Sequence, residues 1–115
     1  MTDRITSSPH FTPAKLSQEP GFISIDVRQP AFRIPERVAG LLAFLYSEGN
    51  TETVIKILMV DDLEKGYLDN RRFSGRANKV AYCIFPAQGD PALRQKSLGE
   101  RLKLYARLIE KYNRP

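Results

Sequence analysis

The sequence predicts an α+β fold: one domain, in the order β-α-β-β-α, with a small antiparallel-rich sheet covered on one face by two helices. Three observations carry this expectation. Three short runs have the composition and alternation of strands, Phe22 to Val27, Thr53 to Val60 and Lys79 to Phe85. Two longer stretches have apolar residues at helical spacing. At 115 residues the chain has the length of a single domain that builds its core without metal or disulfide.

The elements follow in order. Residues 1–20 are rich in Ser, Thr and Pro and hold few apolar groups, so they are expected to form a flexible tail, with Phe11 or Leu16 as its pins. The domain then covers residues 21–115. In the first strand Ile23, Ile25 and Val27 share one face, and Ser24 and Asp26 the other. Pro35 suits a first helical turn. Val38, Leu41, Leu42 and Leu45 follow at helical spacing, and Gly49 fits a left-handed cap, so a helix is expected from Pro35 to Glu48 with Leu41 and Leu45 in the core.

The run TVIKILMV, Thr53 to Val60, is nearly all apolar, which places it centrally in the sheet. Residues 61–78 hold Gly66 and Gly75 and read as a long loop with at most one turn around Leu63. In Lys79 to Phe85, Val80, Tyr82 and Ile84 share one face, and Ala81, Cys83 and Phe85 the other. Two start signals precede the last helix: Asp90 before Pro91, and the capping box of Ser97 and Glu100. Its apolar stripe is Leu98, Leu102, Tyr105, Ile109 and Tyr112.

Charge is the main functional signal. Residues 1–69 carry seven Lys and Arg against ten Asp and Glu, net −3, and residues 70–115 carry eleven against three, net +8. A one-sided basic block attracts polyanions. Arg71, Arg72, Arg76 and Lys79 lie in or beside the long loop with Phe73 among them. Lys96, Lys103, Arg107, Lys111 and Arg114 recur on one face of the last helix. Guanidinium groups hold phosphates bidentately, and an exposed aromatic ring stacks on a base; the other reading of Phe73 is an anchor that pins the long loop to the core. The leading expectation is therefore a small nucleic-acid-binding accessory or regulatory protein, taking DNA or RNA by its phosphates through loop and helix together. The alternative is a protein-interaction module that docks on an acidic partner, or forms a homodimer through the last helix.

Other chemistry finds little support. The single histidine, His10, lies in the expected tail, and the single cysteine, Cys83, alternates within an apolar strand, so neither a catalytic triad nor a zinc site is expected. There is no phosphate-binding glycine motif. Asp61 and Asp62 at a strand end are the only candidates for a metal-dependent site. They read more simply as solvated carboxylates, because adjacent strand residues point to opposite faces. No enzyme activity and no cofactor are expected. No run reaches the roughly 20 apolar residues of a membrane span, and the N-terminus lacks a leader-like apolar stretch, so the expected location is cytoplasmic.

Overall fold

Gly49 and Asn50 form a two-residue turn between the two longest strands, and this hairpin organises the molecule. In the computed structural model, which describes residues 15–28, 33–85 and 91–112, the turn joins β2 (Gly40–Glu48) to β3 (Thr51–Val60). The other elements are β1 (Phe22–Asp26), α1 (Leu63–Asp69), β4 (Lys79–Ile84) and α2 (Pro91–Tyr112), with 3₁₀ turns at Leu16–Gln18 and Arg71–Phe73. All pairings are antiparallel, in the spatial order β1-β4-β2-β3. The α+β class is as expected. The order of elements is β-β-β-α-β-α rather than β-α-β-β-α.

The expected helix Pro35–Glu48 is the central strand β2. Its residues satisfy helical spacing because nearly all of them are apolar, and a strand buried on both faces has that same composition. Leu41, Ala43 and Leu45 enter one core cluster with Ile57, Ala81 and Leu108, and Leu42 and Phe44 enter the other with Ile34, Leu63, Val80 and Tyr82. Leu41 and Leu45 are core residues as expected, though on a strand. Gly49 has φ +59, a conformation suited to the first central position of a hairpin turn, so it caps no helix. Thr53–Val60 is a strand as expected, but it lies at the sheet edge as part of β3. Ile55 is an extra residue opposite the Phe44–Leu45 step, and this bulge turns Val54 and Ile57 to one face and Ile55 to the other.

The two helices cover opposite faces of the sheet rather than one. The α2 helix packs on the Leu41 face through Leu104, Tyr105, Leu108, Ile109 and Tyr112, and α1 packs on the Phe44 face through Leu63 and Tyr67. Two apolar faces on β2 require two covers. Residues 63–69, expected as loop, are helical because Asp62 caps the first turn, accepting from the Lys65 N–H at 3.1 Å. The Leu63 and Glu64 N–H groups donate to the Val38 and Pro35 carbonyls. Gly66 is a packing residue here: a Cβ would lie 2.6 Å from Cγ1 of Val60, so only glycine lets α1 sit this close to β3.

The α2 helix is continuous from Pro91, and its inward side differs from the expected stripe at the start. Ser97 and Arg101 face the protein, while Leu98 and Leu102 are 39% and 48% exposed. The cause is Arg101, whose Nη1 donates to the Val60 carbonyl at 2.9 Å and lies 3.4 Å from Asp61. Of the expected tail, residues 15–20 are docked: Leu16 is fully buried in the α2-side core. Residues 1–14, with Phe11 and His10, lie outside the described residues. No helix among the described residues is long and apolar enough to cross a membrane.

Gly49→Ala is expected to cost about 1–2 kcal/mol, the steric penalty of a Cβ in the left-handed region. Apart from the chain neighbours, no atom of the described residues lies within 4 Å of that Cβ to add a clash. Gly49→Asn is expected to cost less, because Asn tolerates this conformation. Urea unfolding of both variants reads the difference.

Candidate nucleic-acid interface

Nine residues were singled out by charge and spacing, and the structure sorts them by what they touch. Three cations are engaged by buried carboxylates. Glu19, only 3% exposed, accepts from Lys111 Nζ at 2.8 Å and from the Tyr112 hydroxyl, with Arg107 Nη2 at 3.5 Å. Glu52, whose side chain is also buried, lies 3.7 Å from Lys79 Nζ. It accepts from the Ser17 N–H at 3.1 Å and the Ser17 hydroxyl at 2.6 Å. The two glutamates and Leu16 hold residues 15–19 against α2 and the strands.

Burial by itself raises the carboxyl pKa of Glu19, but the hydrogen bonds from Lys111 and Tyr112 and the charges of Lys111 and Arg107 outweigh it, and the net shift is downward. The Tyr112 hydroxyl moves well above its ordinary range, first through burial and then through its bond to Glu19. Lys79, Arg107 and Lys111 thus have structural partners.

The other candidates are Arg71, Arg72, Phe73 and Arg76 on the knuckle after α1, and Lys96 and Lys103, exposed on α2. The knuckle is built of successive short turns. Phe73, Ser74, Arg76 and Ala77 donate their N–H groups to the carbonyls of Asn70, Arg71, Phe73 and Ser74. The Ser74 hydroxyl also donates to the Arg71 carbonyl at 2.6 Å. Phe73 points inward, its ring 5.6 Å from that of Phe44. It is the anchor of the knuckle rather than an exposed stacking platform. Arg72 lies over the outer side of this ring at 4.6 Å. Arg71, Arg72 and Arg76 are exposed, and none of them forms an ion pair with a described carboxylate.

Knuckle and helix do not form one surface. Phe73 sits in the Phe44-side cluster and α2 covers the opposite face, so the sheet separates the arginines from Lys96 and Lys103. Arg114 lies outside the described residues. Sequence reasoning missed Glu19, Glu52 and Arg101. The one available signal for the glutamates was the charge split itself, since an acidic front and a basic back are complementary. Arg101 stands three residues after Leu98, and nothing in that spacing marks it as buried.

Asp62 is a helix cap, and the exposed Asp61 carboxylate pairs with Arg101. Among the described residues no three His, Cys, Asp or Glu side chains gather as metal ligands. Cys83 is buried, and desolvation raises its thiol pKa, which keeps it in the unreactive form. The chain matches no protein-family model, no curated protein and no solved structure.

Two outcomes follow from these contacts. The Glu19 carboxyl titrates below its ordinary 4.5, so its ionised form stabilises the fold above that pH. That contribution is lost as the pH falls from 4.5 through the lower folded value. Glu19→Gln is expected to cost about 1.5–3 kcal/mol at neutral pH, the range for charged hydrogen bonds. Urea unfolding should show the gap to wild type closing below pH 4.5. Phe73→Ala is expected to cost about 2 kcal/mol, less than a fully buried ring would. It should also speed amide hydrogen exchange at Ser74 and Arg76 while leaving β2 protected.

Proposed function

We propose that the protein binds nucleic acid by its phosphates through the arginine knuckle, Arg71, Arg72 and Arg76, as an accessory or regulatory factor. The carrying observation is the sorting of cations. Lys79, Arg101, Arg107 and Lys111 lie against carboxylates or a carbonyl, whereas three guanidinium groups within six residues stand exposed without a carboxylate partner among the described residues. Phe73 and the local turns fix their backbone, so fewer degrees of freedom are lost when phosphates are bound. Arginine suits the role because its planar fork matches two phosphate oxygens. No base-reading element is invoked, so binding follows charge and shape.

The test is binding of labelled single- and double-stranded DNA and RNA of random sequence at two salt concentrations. Three phosphate contacts on duplex DNA correspond to a slope of about −2.7 in log affinity against log salt, a loss of about 40-fold for a fourfold rise in salt. The triple Arg71→Ala, Arg72→Ala, Arg76→Ala variant is expected to lose most of the binding and most of the slope. The Lys96→Ala, Lys103→Ala variant is expected to keep both. Absence of binding by wild type at low salt would overturn the reading and leave an acidic protein as the partner to test. Equal loss in the two variants would overturn the assignment to the knuckle.

A further inference from the structure

The two edges of the sheet are protected to very different degrees. The β1 edge has five residues and ends at Asp26, whose carboxylate is clamped by Arg28 at 2.7 and 3.0 Å. The β3 edge has ten residues, TETVIKILMV, without proline and with one lysine, Lys56. Natural edges are blunted by shortness, proline, charge or a bulge. Here the bulge lies at Ile55, and beyond it Lys56 to Val60 keep regular register with Phe44 to Gly40.

The phase of this edge follows from one bond. The Phe85 N–H donates to the Ala39 carbonyl, so the backbone of Ala39, Leu41 and Ala43 faces β4, and that of Gly40, Leu42 and Phe44 faces β3. Val60, Leu58 and Lys56 therefore face β2, and the backbone groups of Ile57 and Met59 point out of the sheet. Among the described residues no strand pairs with them.

The helix above adds an apolar border. Arg101 reaches the end of β3 at Val60. At the other end of α2, Lys111 and Tyr112 meet Glu19, beside the Ser17 contact to Glu52. The helix thus runs antiparallel to β3. In a right-handed helix so placed, residues one position after the inward Ser97 and Arg101 point toward the open edge. These are the exposed Leu98 and Leu102.

We propose that a second copy of this chain occupies the β3 edge, the two β3 strands pairing antiparallel about a two-fold axis normal to the sheet. The result is a continuous eight-stranded sheet with both α2 helices on one face. Ile57 of each copy pairs with Met59 of the other, and Leu98 and Leu102 meet their counterparts across the axis. Charge favours this occupant. With Leu58 at the axis the two Lys56 residues are offset by four strand positions, about 13 Å. Each then lies toward the acidic Asp61–Asp62 end of the other copy. The open backbone groups find partners on a surface that is complementary to itself, as a two-fold interface requires.

The experiment is sedimentation equilibrium of the full chain across the micromolar range, with amide hydrogen exchange at matched concentrations. The expected mass is twice the 13.1 kDa of the chain. Protection of the Ile57 and Met59 amides should rise with protein concentration. Leu98→Lys with Leu102→Lys, both at exposed positions, should give a monomer with unchanged circular dichroism and unprotected Ile57 and Met59 amides. A wild-type monomer throughout this range would overturn the proposal. So would a dimer whose Ile57 and Met59 amides exchange as freely as those of the double variant, or a dimer untouched by the two lysines.

Discussion

The burial of β2 on both faces is the constraint from which the rest of the structure follows. A strand carrying Leu41, Ala43 and Leu45 on one side and Leu42 and Phe44 on the other is stable only with a layer above and a layer below it. The chain supplies the upper layer with α2 and Leu16, and the lower one with α1, Ile34 and the Arg71–Phe73 turn. The strand also needs a neighbour on each edge, which β3 and β4 provide. Where β4 has ended, the Asn78 side chain continues the ladder, accepting from the Ser47 N–H and donating to the Ser47 carbonyl. Phe44 ties the candidate interface to this strand, because its ring carries both Tyr67 of α1 and Phe73 of the knuckle.

The charge split along the sequence is resolved partly within the fold. Glu19 and Glu52 belong to the acidic front, and Lys79, Arg107 and Lys111 to the basic back. Their pairing joins the segment before β1 to the last turns of α2, and β3 to β4. A buried carboxylate is costly unless several donors meet it, and Glu19 has three partners within 3.5 Å. The Arg101 site is less complete: its Nε and the Ser97 Oγ are buried without hydrogen-bond partners among the described residues. The same chemistry that suggested a polyanion partner thus serves internal closure on the α2 face, and only the cations left over remain available for binding.

Sequence reasoning succeeded where the pattern was local. Alternation marked β1 and β4, including the division of Val80 and Tyr82 from Ala81 and Phe85. Of the two start signals read for α2, at Pro91 and at Ser97, the first agrees with a helix described from Pro91. It failed where a local pattern had two solutions. The run AGLLAFLY fits helical spacing because hydrophobicity fills every position. The deciding signal was Gly49-Asn50, a two-residue hairpin turn between apolar runs. Gly66 reads as a loop residue in the sequence, since glycine disfavours helix, but the contact that requires it is with Val60 of another element. Six of the nine candidate site residues could not be placed correctly by spacing alone. Phe73 and the partners of Lys79, Arg107 and Lys111 depend on tertiary contacts, and the separation of Lys96 and Lys103 from the loop depends on which face each helix covers.

The two proposals are linked by symmetry. A two-fold axis normal to the sheet leaves each face of the sheet on its own side. Both arginine knuckles therefore stay on the Phe44-side face, opposite the paired α2 helices. In the proposed dimer six guanidinium groups would stand on one side, with the eight-stranded sheet between them. A nucleic acid that reaches both knuckles is held by two tethered sites, and the second engagement is intramolecular, so avidity exceeds the affinity of either site. The sheet edge would thereby set the spacing at which phosphates are gripped, and the strand that carries no functional side chain would determine how the binding residues act together.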